Sequence, residues 1–67
     1  SDTITIAVQV NGKLRDQIEI STEADRDATV AAARSSVKVA RHLEDTDEVK
    51  VIYVPGRLVN IVVKPVA

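Results

Sequence analysis

The sequence has no cysteine, methionine, phenylalanine or tryptophan, and a single histidine and a single tyrosine among 67 residues. Without cysteine, neither a disulfide nor a thiolate metal site can staple so short a chain. One histidine, His42, makes no metal site unless several carboxylates converge on it. Tyr53 alone cannot form the aromatic platform on which single-stranded RNA bases stack. No apolar run approaches the roughly 20 residues of a membrane helix. The opening "SDTITIAVQV" lacks the basic n-region of a signal peptide, so the expected setting is cytoplasmic, with no membrane partner. Stability must come from the 45% of hydrophobic residues, chiefly Val, Ile, Leu and Ala. At this length they suffice for one small domain, residues 1–67, expected as a monomer.

Net charge is −1, which argues against a nucleic-acid binder working through bulk electrostatics. The charge is nevertheless unevenly spread. Glu23, Asp25, Asp27, Glu44, Asp45, Asp47 and Glu48 outnumber Arg26, Arg34, Lys38 and Arg41 in the middle. The flanking segments are mildly basic through Lys13, Arg15, Lys50, Arg57 and Lys64. A solvated surface explains this split as well as a function does.

Ile4, Ile6, Val8 and Val10 alternate with Thr5, Ala7 and Gln9, the period of two of a half-buried strand. Leu14, Asp16, Ile18 and Ile20 give a second strand beyond Asn11-Gly12. A two-residue turn scatters their apolar side chains over both faces. A three-residue loop, Val10-Asn11-Gly12 with Gly12 in the left-handed region, instead brings Val8 to Leu14 and Ile4 to Ile18. That register is the expectation, and its cost is Asp16 among inward positions opposite Ile6.

From Thr22 to Glu44 the pattern is helical. Asp25 suits an N-cap, and Asp27 suits the first turn. "ATVAAAR" places Val30, Ala33 and Val37 along one face. Ser36 is positioned to cap a second short helix carrying Val39, Ala40 and Leu43. One bent helix or two consecutive ones follow, then an acidic loop over residues 44–48.

"EVKVIYVPGRLVNIVV" predicts two further strands around Pro55-Gly56, a pair suited to a type II turn. Pairing Val54 with Leu58 aligns Val49, Val51, Tyr53, Val59, Ile61 and Val63 on one face. The other face is also apolar at Ile52, Val54, Leu58 and Val62, as in a central strand or a docking surface. The predicted fold is α+β, ββαββ: a four-stranded sheet with one face covered by the helical layer, strand order open.

No catalytic constellation appears. His42 has acids nearby but no Ser or Cys nucleophile in a recognisable setting, and reads as a solvated residue at a helix C-terminus. The two glycines lack the spacing of a phosphate-binding loop. Catalytic, metal-ligating and cofactor residues are expected to be absent.

"VQVNGKLRDQIEI", "VARHLE" and "VKVIYVPGRLVNIVV" together resemble the C-terminal domain of bacterial leucyl-tRNA synthetase, in order and spacing, over nearly the whole chain. The resemblance implies an appended module, joined by a flexible linker to the remaining domains of a class I leucine–tRNA ligase. It implies contact with the outer corner, or elbow, of tRNA-Leu. ATP, leucine and the acceptor end are then ligands of the parent enzyme only. Within the matching blocks, Lys13, Arg15, Lys50, Arg57 and Asn60 are the candidates for tRNA contact. Asp16 departs from the family pattern, which has a small residue there, and counts against the first hairpin as a phosphate surface. The competing class is a stand-alone protein-interaction module of ubiquitin-like kind, since a bulged hairpin followed by a helix also opens that fold.

Overall fold

The computed structural model describes residues 2–66 and contains six elements in the order ββααββ. Strands β1 (Thr3–Val10) and β2 (Lys13–Ser21) form the first hairpin. Helices α1 (Arg26–Ser35) and α2 (Val37–Leu43) follow, and β3 (Thr46–Val54) with β4 (Leu58–Pro65) closes the chain. The sheet order is β2-β1-β4-β3. Both hairpins are antiparallel, and the central β1–β4 pair is parallel. The expected ββαββ sheet is therefore present, with two helices on one face rather than one bent helix.

The first turn departs from expectation. Val10 pairs with Lys13, so the loop has two residues, Asn11 and Gly12, both with positive φ (53° and 82°). Those angles make a primed turn, whose twist matches that of the strands it joins. Register is rescued further down. Gln9 faces Leu14 while Val8 faces Asp16, leaving Arg15 as an extra residue in a β-bulge. The bulge shifts the side-chain phase by one. Ile18 and Ile20 thereby return to the face of Ile6 and Ile4. The expected Val8–Leu14 and Ile4–Ile18 pairs do not form, and Leu14 lies outside the core at 55% exposure.

The second hairpin turns as expected. Val54 pairs with Leu58, Arg57 N–H donates to Val54 O at 3.0 Å, and Gly56 has φ 74°. Here too a bulge intervenes, because Glu48 pairs with Val63 and Lys50 with Val62. Val49 is consequently displaced from the inward row and exposed. The acidic segment 44–48 is not a loop throughout, since β3 already begins at Thr46.

Both helix caps match the sequence pattern. The Asp25 carboxylate accepts from Ala28 N–H at 2.8 Å, and Ser36 Oγ accepts from Val39 N–H at 3.4 Å. Each supplies a partner for a backbone donor that no preceding turn can satisfy. Ser36 has extended backbone angles, which separates the helices. That break rotates α2, so Val37 is exposed and does not continue the Val30–Ala33 face, while Val39 is fully buried.

The core comprises Ile6, Val8, Val10, Ile20, Val30, Ala33, Val39, Val59 and Ile61. Its centre is the parallel β1–β4 contact, where Val8 faces Val59 and Val10 faces Ile61 beneath the helices. Fully burying a Val or Ile side chain contributes about 1.5–3 kcal/mol. With no covalent staple, this small cluster must hold the two hairpins together.

Candidate nucleic-acid interface

The parallel pairing aligns Ala7–Val10 with Leu58–Ile61 only. The hairpins are thus staggered along the strand axis, and the described chain extends 44 × 19 × 17 Å. Where the first hairpin ends at Asn11-Gly12, β4 runs on beyond it to Pro65. A network of hydrogen bonds fastens the turn to the flank of β4. Asn11 N–H donates to Ile61 O at 3.0 Å, and Asn11 Oδ1 accepts from Val63 N–H at 2.9 Å. Gly12 N–H donates to Asn60 Oδ1 at 3.0 Å.

This stagger leaves a step at the end of α2. Its notch, about 290 Å³ in volume, has an apolar floor from Val10, Val63 and Pro65. Lys13, Arg15 and His42 line it, against one acid, Asp45, and Lys64 borders it from a strand position whose side chain alternates to the helix-free face. Val10 is inward-facing, so Lys13 opposite it lies on the helical side of the sheet, and the bulge sets half-buried Arg15 beside it. Arg15 Nε is buried with no hydrogen-bond partner. His42 comes from the last turn of α2 and is exposed, as expected for a helix C-terminal residue.

The five predicted contact residues do not form one cluster. Lys13 and Arg15 share the notch. Lys50, opposite Val62, sits by strand alternation on the helix-free face of edge strand β3. Arg57 is exposed in the turn beyond the Val54–Leu58 pair, which is itself four residue pairs from Lys50, or roughly 13 Å at about 3.3 Å per residue. Asn60 is half-buried and already engaged with Gly12. Its side chain has a structural task whatever else it touches.

Sequence reading missed His42 as a notch residue. Its spacing carries no sign of the stagger, which arises from pairing between strands 48 or more residues apart. The helix-free face is apolar in part, as the pattern suggested, with Ile52 and Val54 exposed and Leu58 and Val62 half-buried. β4 is indeed central, and β3 is an edge.

Asp16 does not face Ile6 as expected, because the bulge at Arg15 shifts the register. It is half-buried opposite Val8, accepts from the Ser36 hydroxyl, and accepts from Gln17 N–H at 2.8 Å. These hydrogen bonds, the Ser36 one foremost, hold its carboxyl below the usual aspartate range. The charge is thereby spent inside the fold, on the α1–α2 junction. It lines a shallow groove formed with Ile18, Ser36 and Lys38, apart from the notch. Among the described residues no group of His and acidic side chains is arranged to hold a metal, and no helix is long and apolar enough to cross a membrane.

No family model matches the chain. Individual proteins do. It is 57% identical over 63 residues to a leucine–tRNA ligase of Hydrogenovibrio crunogenus, covering 94% of this chain and 7% of that protein. A leucine–tRNA ligase of Deinococcus radiodurans is 51% identical, with 94% and 8% covered, and one of Thioalkalivibrio sulfidiphilus is 53% identical, with 96% and 8% covered. In fold it is similar to the LeuRS of Agrobacterium radiobacter K84 solved as a ternary complex with tRNA and LeuAMS. There the TM-score is 0.88 at 31% identity, over 92% of this chain and 8% of that one. The chain spans less than a tenth of the length of these relatives. It corresponds, in sequence and in fold, to a small segment of bacterial leucyl-tRNA synthetases.

Proposed function

We propose that this chain is the appended C-terminal domain of a class I leucine–tRNA ligase and contacts the elbow of tRNA-Leu to support aminoacylation. The observation that carries the reading is identity above 50% across nearly the whole chain to leucine–tRNA ligases. The fold shared with a synthetase solved in complex with tRNA supports RNA as the partner. Adenylation and transfer, with ATP and leucine as ligands, belong to the rest of the parent enzyme. The domain itself supplies binding.

Lys13, Arg15, Lys50 and Arg57 are the proposed phosphate contacts, and Asn60 is the proposed polar contact. So few cations make weak binding on their own. A flexible linker to the other domains raises the effective concentration and makes weak contacts useful. The test is a salt titration of this chain with a tRNA-Leu transcript. Each neutralised phosphate contributes about 0.9 to the slope of log affinity against log salt. Four cations therefore predict saturable low-salt binding with a slope no steeper than about 4 in magnitude. Absence of saturable binding at low salt would overturn the reading.

A further inference from the structure

We propose that the notch between the first turn, the end of α2 and the overhang of β4 is a seat for one RNA backbone phosphate. It rests on the tRNA-binding reading above and gives it a place: the helical side of the sheet, rather than the helix-free face that carries Lys50.

Three observations carry it. First, Lys13, Arg15 and His42 meet around one notch with Asp45 as the single acid, so the local balance is basic although the chain is not. Second, Arg15 Nε is buried without a partner. That nitrogen is closed to solvent, so an anion in the notch meets the outer nitrogens of the guanidinium through a charge-assisted bond, and among the described residues no acid is paired with them. Arginine presents its donors as a planar fork that suits a phosphate. Third, the floor of Val10, Val63 and Pro65 keeps one side of the notch apolar, which strengthens a charge interaction relative to open water. At about 290 Å³, the notch is just below the roughly 300–1,000 Å³ of small-molecule clefts.

The stagger explains why the site sits here. The bulge at Arg15 brings that residue beside Lys13, and the Asn11 and Asn60 hydrogen bonds fix the turn against β4. The cationic groups are held by the same features that set the strand register.

His42 is the only histidine, so its imidazole resonances report on the notch without ambiguity. The experiment is an NMR titration of this chain, whose apolar core is closed by its own elements, with a tRNA-Leu transcript and separately with inorganic phosphate. The transcript should move the His42 resonances on saturation, and phosphate should move them in the same direction only at far higher concentration. Arg15→Gln and, as an exposed position that cannot disturb the core, Lys13→Gln should each weaken the transcript about tenfold, the typical worth of one charged hydrogen bond. Transcript binding seen at other resonances while His42 stays still would overturn the notch and leave the tRNA reading standing. No binding at all would remove both. A His42 response to phosphate as strong as to the transcript, with transcript affinity unchanged in both variants, would mark a general anion site and also overturn the proposal.

Discussion

Replacing Asn11 tests the join between the two hairpins, on which the notch depends. Two contributions are at stake at that residue. Its Oδ1 accepts from Val63 N–H at 2.9 Å, across 52 residues of sequence, a bond worth about 1 kcal/mol net. Its backbone stands at φ 53°, a region that costs most side chains about 1 kcal/mol or more and that asparagine tolerates. Asn11→Ala loses both and should destabilise by about 2 kcal/mol. Asn11→Gly keeps the backbone freedom and loses only the side-chain bond, for about 1 kcal/mol. The backbone bond from Asn11 N–H to Ile61 O survives in each. A domain of this length has roughly 3–10 kcal/mol of stability in total, so either loss is measurable. In urea, with a slope near 1 kcal/mol per molar for so small a protein, the midpoints should fall by about 2 M and 1 M. If Asn11→Gly unfolds with the parent, the bond to β4 contributes nothing. If alanine and glycine are equivalent, the left-handed turn is not what constrains the hairpin.

Two further expectations concern groups away from the notch. Thr29 is fully buried and its Oγ1 has no partner, so Thr29→Val replaces an unsatisfied hydroxyl with a methyl of similar shape and should stabilise by about 1 kcal/mol; a lower melting temperature would refute this. The Asp16 carboxyl titrates below its ordinary range because the Ser36 hydroxyl and Gln17 N–H favour its charged form. Its contribution is therefore complete above the unfolded pKa and lost as pH falls through the lower folded one. Ser36→Ala should move the Asp16 carboxyl resonance midpoint upward, and Asp16→Asn should flatten the acid limb of stability against pH; an unmoved midpoint would show that the Ser36 bond is not the main cause.

Features with a local cause were legible in the sequence. Asp25 and Ser36 announced two helix starts, Pro55-Gly56 announced a type II turn, and alternation placed Ile4, Ile6 and Val8 on one face. Failures came where a bulge changed the phase. A loop of three residues and a two-residue turn followed by a bulge restore the same inward set at Ile18, and pattern cannot separate them. They differ at Leu14 and Arg15, the residues nearest the notch. Val49 failed for the same reason. Lys13 and Arg15 were visible as basic residues, but their meeting with His42 at the overhang of β4 required the β1–β4 register, a tertiary fact set by which Val and Ile side chains bury together.

The central claim, that this chain serves tRNA capture and not the chemistry, is tested most directly in a full-length leucine–tRNA ligase carrying it. Lys13, Arg15, Lys50 and Arg57 are replaced together by glutamine, and two rates are compared: tRNA charging at subsaturating tRNA, and leucine-dependent pyrophosphate exchange without tRNA. The account predicts that charging falls, recovers as tRNA concentration is raised, and leaves exchange unchanged. Charging that stays at the parent rate, or exchange that falls in step with it, would contradict the account.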